Sequence, residues 1–117
     1  MKTIIGQQGE VLIIRLDAMP ATAITKPASD RDRMGRAIIS HSESGHHHVL
    51  TGGDVMERTN DVPAGMQVFY TILDAPERFI QDSTAPHDAF DLPPGVYEFR
   101  TSREFDPFAE AARRVAD

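Results

Sequence analysis

Short stretches of apolar or alternating residues recur along most of the chain. The segment 11–16 is apolar along nearly its whole length, which is typical of a strand that is covered on both faces. In the segment 96–101, aromatic residues alternate with more polar ones, as in a strand with one aromatic face. The segment 67–73 is rich in β-branched and aromatic residues, which favour strands. Strands are therefore predicted at 3–5, 11–16, 36–40, 46–50, 55–59, 67–73, 78–81, 89–92 and 96–101.

The C-terminal residues have a different period. Asp106 is a good N-cap and Pro107 suits the first position of a helix. From Phe108 to Val115, apolar residues recur at helical spacing and form one stripe. These features predict a short C-terminal helix over 107–116, which we expect to dock on a sheet because so short a helix is marginal alone in water.

Between the second and third predicted strands, residues 18–35 contain two prolines, small polar residues and mixed charges. This composition predicts a long loop, and loops of this length are often functional or mobile. At 117 residues, the chain (1–117) is predicted to be a single domain. Many short strands with one late helix predict a mainly β fold, namely a small antiparallel β-sandwich or barrel with a short C-terminal helix.

Charge and composition narrow the function classes. The formal net charge of -6 argues against a nucleic-acid partner and against binding to an anionic membrane surface. The absence of cysteine excludes disulfides, thiolate metal sites and cysteine nucleophiles. No apolar run has membrane-spanning length and no signal-peptide pattern is present, so we expect a cytoplasmic location.

Histidines are concentrated in one stretch of the sequence. Four of the five lie between His41 and His48. In a strand, residues two apart share a face, so His46 and His48 would project together, roughly 7 Å apart, and His47 would point the other way. Zinc, iron, nickel or manganese is commonly held by two or three imidazoles with a carboxylate or water. The predicted metal ligands are His46, His48 and His87, with His41 and Glu43 as additional ligands.

Simpler interpretations compete with this one. Histidines at strand ends are often half-exposed and hydrogen-bonded to carboxylates, and an acidic chain offers many such partners. The chain has no GxSxG nucleophile elbow, no phosphate-binding GxxxxGK[ST] loop and no GxGxxG. Four aromatic residues could form a stacking platform for single-stranded nucleic acid, but the acidic charge favours core packing instead. They are Phe69, Tyr70, Tyr97 and Phe99.

The run Gly45-His46-His47-His48 resembles the HxH element of the first cupin motif. The resemblance implies a histidine-ligated metal inside a small antiparallel barrel. A cupin has a glutamate four or five residues after the second histidine, where this chain has Gly52 and Gly53. The last cupin histidine follows a PxG turn, whereas His87 precedes the turn at 93–95.

A longer resemblance covers most of the chain. It rests on residues 6–13, on the GHxH run at 45–48, on His87 with the LPPGVY segment at 92–97, and on residues 103–107 and 113–115. In these features the chain is similar to a family of small proteins from bacteria and their phages. The resemblance implies an architecture and the pairing of the GHxH histidines with His87, but no reaction, and it favours a role in or around the phage particle. For a phage product, the location would be the host cytoplasm or the virion.

Three functions follow from these patterns, and we expect no catalysis from the first two. The leading one is a divalent-metal-binding domain. The second is a structural or assembly module, such as a phage virion or accessory protein, that associates with its own copies or with a protein partner. The third is a cupin-type metalloenzyme. An exposed strand edge would allow a homo-oligomer in each case.

Overall fold

The computed structural model describes residues 2–41, 46–82 and 89–102, and within these ranges it consists of strands, turns and loops without a helix. The predicted mainly β fold is confirmed. The predicted helix over 107–116 and the predicted ligands Glu43 and His87 lie outside the described residues. The strands are β1 (Lys2–Gln8), β2 (Val11–Leu16), β3 (Thr25–Pro27), β4 (Ala37–Ser40), β5 (His48–Leu50), β6 (Val55–Arg58), β7 (Met66–Leu73), β8 (Glu77–Gln81), β9 (Phe90–Leu92) and β10 (Gly95–Ser102).

The strands form two antiparallel sheets. The first, sheet A, has six strands in the order β1-β2-β10-β7-β6-β3, and the second, sheet B, has four in the order β4-β5-β8-β9. Within the described ranges the sheets remain separate and pack on a shared core, so the sandwich is the observed architecture rather than the barrel. No described element is a helix of the length and apolarity needed to cross a membrane.

Strand β2 lies inside sheet A, between β1 and β10, as its apolar sequence predicts. Ile13 belongs to the core between the sheets, and Ile14 belongs to a second apolar cluster on the outer face of sheet A. Both side chains are buried, which confirms the prediction that both faces of this strand are covered. The outer cluster packs against residues of the loops that follow β2 and β6, including Met19, Ala23 and Val62.

The core between the sheets takes residues from nearly every strand. Phe79 and Phe99 pack at its centre with ring centroids 5.1 Å apart. The prediction that the aromatic residues are packed inside the protein is confirmed, since Phe69, Tyr97 and Phe99 are buried in this core and Tyr70 is buried in the outer cluster. The core residues are Val11, Ile13, Ala28, Ala37, Ile39, Leu50, Val55, Phe69, Leu73, Phe79, Leu92, Tyr97 and Phe99.

The segment 18–35, predicted to be a loop, contains the short strand β3, which the sequence pattern does not reveal. This strand pairs with β6 and forms one edge of sheet A. Asn60, in the loop after β6, binds the residues that precede β3. Its side-chain oxygen accepts a hydrogen bond from the Ile24 amide at 2.8 Å, and its Nδ2 donates to the Thr22 carbonyl at 3.0 Å. These contacts join residues far apart in sequence, so a local pattern could not predict them.

Candidate functional site

His48 lies at the start of β5 and points into the molecule, with 3% of its surface exposed. Its ring stacks on Phe79, with centroids 6.1 Å apart and planes 18° from parallel. The side-chain oxygen of Gln8 lies 2.7 Å from Nδ1 and can only accept, so Nδ1 carries the hydrogen and donates it. Gln8 in turn donates through Nε2 to the Phe79 carbonyl at 3.3 Å, which fixes the orientation of its amide group.

A carboxylate and a hydroxyl complete the surroundings of this imidazole. The Ser40 hydroxyl donates to one oxygen of Glu10, and the other oxygen lies 4.0 Å from Nε2 of His48. We call Gln8, Glu10, Ser40 and His48 the sheet-bridging cluster, because it joins the β1–β2 hairpin of sheet A to β4 and β5 of sheet B. Gly9 also belongs to this contact, since it has a φ of 56° and a Cβ there would lie 2.9 Å from Nε2 of His48.

His47 lies on the opposite side of sheet B, where its ring meets that of His41. The centroids are 4.8 Å apart and the ring planes are inclined at 74°. Nε2 of His41 lies 2.9 Å from a carboxylate oxygen of Asp30. Because the carboxylate accepts, Nε2 donates, and in the neutral imidazole the lone pair is then on Nδ1. We call His41 and His47 the surface imidazole pair.

One member of the surface imidazole pair, His47, lines a cavity of about 480 Å³. Arg36 also lines this cavity together with Asp32 and Asp82, and its Nε lies 2.7 Å from Asp32 while one terminal nitrogen lies 3.4 Å from Asp82. The other lining residues are Arg31, Arg33, Met34 and Ile38.

Burial and charge act on His47 in opposite directions. Burial lowers its pKa, and the neighbouring imidazoles of His41 and His46 act in the same sense, whereas the carboxylates of Asp82 and Asp32 act against it. The net effect lowers the pKa below the ordinary value of 6.5. His47 is therefore neutral at neutral pH, and a neutral imidazole is the form that binds metal ions.

The structure places the described members of the predicted ligand set in different environments. His46 is exposed, precedes β5, and accepts a hydrogen bond from Gln81 Nε2 through its carbonyl at 3.3 Å. His48 is buried in the sheet-bridging cluster, and His41 is exposed beside Asp30. Across residues 2–41, 46–82 and 89–102, no three His, Cys, Asp or Glu side chains form a group placed to hold a metal ion. Metal binding by His46, His48, His87, His41 and Glu43 stays a prediction.

Sequence reasoning did not single out His47, Asp30 or Gln8. The alternation of side chains did place His47 opposite His48, and this is the arrangement observed. The residues that each histidine contacts depend on pairing between distant segments. For example, Gln8 and His48 are 40 residues apart in sequence. Asp30 likewise meets His41 through the folded chain, from 11 residues earlier in the sequence.

Neither the curated proteins nor the solved structures contain a match to this chain. A family described as a domain of unknown function (DUF8820) matches residues 7–102, a range that includes both the sheet-bridging cluster and the surface imidazole pair. The matched range covers most of the chain, and the protein belongs to this family.

Proposed function

We propose that the protein is a divalent-metal-binding domain and that its metal site is centred on the surface imidazole pair. The observation that carries this proposal is the contact between the His41 and His47 rings, 4.8 Å between centroids, next to the Asp30 carboxylate. The proposal keeps the predicted chemistry, two imidazoles on zinc, iron, nickel or manganese. It replaces the predicted pair of His46 and His48 as the centre of the site.

The contact between Asp30 and His41 supports this choice. Histidines that bind metals almost always donate their second ring N–H to a carboxylate, a carbonyl or water, which fixes the tautomer and the orientation of the ring. Asp30 accepts from Nε2 of His41 at 2.9 Å. Nδ1 of His41 is then the nitrogen suited to a metal, and Asp30 acts as the group that orients it.

The electrostatics of His47 provide further support. A metal competes with a proton for the imidazole nitrogen, so a lowered pKa removes that competition at neutral pH. Burial and His41 lower the pKa of His47, and the carboxylates of Asp82 and Asp32 supply negative charge nearby. The surface imidazole pair supplies only two protein ligands, so we expect water to complete the coordination and the affinity to be modest.

His48 has a different role under this proposal. Its Nδ1 donates to Gln8 and its Nε2 faces Gly9 and Glu10, so the sheet-bridging cluster holds this ring inside the fold. We assign His48 to the stability of the sandwich and not to the metal.

Binding of Zn²⁺ and Ni²⁺ to the purified chain, measured by calorimetry and by metal analysis after dialysis, tests the proposal. We expect the double variant His41→Ala/His47→Ala to lose binding by at least tenfold. The single variant His46→Ala, which removes an exposed imidazole from the same run, is the matched control and should bind as the wild type does. Bound metal should also leave as the pH falls through about 6 to 5, where imidazole ligands become protonated.

Three results would contradict the proposal. Equal binding by the wild type and by the His41→Ala/His47→Ala variant would move the metal to another site, and loss of binding in His46→Ala would favour the originally predicted ligands. If neither metal binds the wild type, the protein has no divalent-metal function of this kind.

A structural or assembly role, such as that of a phage virion or accessory protein, is the second candidate function. The observation that favours it is the long edge strand β1, whose outer side has no paired strand in the described part of the chain. An unpaired strand edge is a ready surface for association with another chain.

A further inference from the structure

The described part of the chain has four sheet edges, and they differ in how well they are protected. The edge strand β3 has only three residues and contains Lys26 and Pro27, both of which discourage pairing. At the β4 edge, Arg31 bridges to Ala37 and the Asp30 carbonyl accepts from the Ile38 amide at 3.0 Å. The β9 edge is also only three residues long. Each of these edges is short, charged or partly covered by the chain's own backbone.

Strand β1 is longer than these edges and is not covered by described backbone, although its pairing with β2 shifts register between Ile4 and Gly6. It is seven residues long, has no proline, and carries a single charge, Lys2, at its end. Two neighbouring residues in its middle are exposed large apolar side chains, Ile4 at 67% and Ile5 at 37%. Within residues 2–41, 46–82 and 89–102, β1 pairs with β2 on one side and with no strand on the other.

We propose that β1 pairs antiparallel with β1 of a second copy of this chain, so that the two six-stranded sheets become continuous across a symmetric dimer. This inference rests on the second candidate function, the assembly role, and does not require the metal site. Such a contact uses the same surface patch on both subunits, as two-fold dimers do. The backbone supplies hydrogen bonds and Ile4 and Ile5 supply apolar contact.

The charges along β1 favour a second copy as the occupant. A two-fold axis through Ile4 separates the two Lys2 positions by four residues, which is about 13 Å along a regular strand and about 10 Å if the register shift between Ile4 and Gly6 removes one residue from the span. Either separation exceeds the screening length of about 8 Å at physiological salt, so the two ammonium groups repel each other little. Every residue between them is neutral. The strand therefore meets its own reversed copy without a like-charge contact, although the chain as a whole has a net charge of -6.

The expected dimer is reversible. One strand pair buries less than the roughly 800 Å² per partner that is typical of stable interfaces, so the dimer population should depend on protein concentration. Sedimentation velocity over a range of concentrations from micromolar to millimolar measures this directly. EDTA in the buffer excludes association that is bridged by metal at the surface imidazole pair.

The test uses two variants with the same chemical change. Ile4→Lys places a charge on the β1 edge and should weaken dimerisation at least tenfold. Ile72→Lys changes an isoleucine that is 50% exposed on β7, a strand inside sheet A, and should leave the dimer unchanged. Circular dichroism confirms that each variant is folded.

Each further outcome decides between the inference and the function on which it rests. If the wild type stays monomeric at millimolar concentration, the proposed dimer does not form. A dimer that Ile4→Lys does not weaken, or that Ile72→Lys weakens equally, overturns the β1 contact but leaves an assembly role through another surface. Association that disappears in EDTA also overturns the β1 contact and assigns self-association to metal.

Discussion

His47 and His48 are neighbours in the sequence, but they lie on opposite sides of sheet B and have opposite surroundings. His48 is 3% exposed, stacks on Phe79 and donates to Gln8 inside the sandwich. His47 lies on the outer side, in contact with His41 and beside a cavity of about 480 Å³. Two imidazoles next to each other in sequence therefore have different roles, because His48 begins β5 and points into the core, whereas His47 precedes the strand and lies on the outer side.

The two sides of the sheet also differ in how their polar groups are satisfied. On the inner side, the sheet-bridging cluster joins two sheets, so its hydrogen bonds form only when the sandwich is assembled. On the outer side, Asp30 and His41 are both more than half exposed. Exposed ion pairs add little stability, typically less than about 1 kcal/mol. Substitutions in the sheet-bridging cluster should therefore lower the free energy of unfolding, whereas substitutions in the surface imidazole pair should mainly weaken metal binding.

The largest expected effect is that of His48→Ala. It removes a buried ring from the core and leaves the Gln8 side-chain oxygen without its donor, so we expect a loss of about 2–4 kcal/mol in the free energy of unfolding. Urea denaturation measures this loss. His46→Ala, at an exposed position of the same run, should change the free energy by less than about 0.5 kcal/mol. Equal losses in the two variants would mean that His46 and His48 do not differ in burial as described.

A smaller effect is expected from Gly9→Ala, which tests the contact between the β1–β2 turn and His48. Gly9 and Gly35 both have positive φ, 56° and 80°, so an alanine costs backbone strain of about 1–2 kcal/mol at either position. Only at Gly9 would the new Cβ meet the imidazole, 2.9 Å from Nε2, whereas at Gly35 no atom lies within 4 Å. We expect Gly9→Ala to be the more destabilising of the two in the same urea assay. Equal losses would show that His48 does not pack against this turn.

The smallest expected effect concerns the pH dependence of stability on the outer side. The folded-state pKa of His47 is lowered, so the unfolded chain binds more protons and stability rises with pH in the interval below about 6.5. The contribution of His47 is fully present above that interval and is lost as the pH falls through it. His47→Gln should flatten the curve of unfolding free energy against pH between about 5 and 7. An unchanged slope would contradict the lowered pKa.

Much of the sandwich was predictable, because the residue patterns of its central strands indicate which side chains are buried. The apolar run of β2 predicts that both of its faces are covered, and the alternation of β10 predicts that Tyr97 and Phe99 face the core, although Glu98 on the other face is buried too. Strand β3 was not predictable, because its three residues become a strand only through pairing with β6. The register of the β4–β5 hairpin likewise leaves His46 outside the ladder, where Ser40 pairs with His48.

The candidate site was predictable only in part. The concentration of histidines and the opposite orientations of His47 and His48 follow from the sequence. The partners do not, because Asp30 reaches His41 from the loop before β4 and Gln8 reaches His48 from the other sheet. Sequence spacing therefore favoured His46 and His48 as a pair, although His46 is exposed and His48 is held in the interior.

Imidazole NMR during a Zn²⁺ titration tests the division of the histidines most directly. We expect the ring resonances of His41 and His47 to shift as zinc is added, while those of His48 keep their chemical shifts. The Nδ1 hydrogen of His48 should stay protected from exchange throughout. Zinc-dependent shifts of His46 and His48 together, with His41 and His47 unchanged, would contradict the assignment of the metal to His41 and His47.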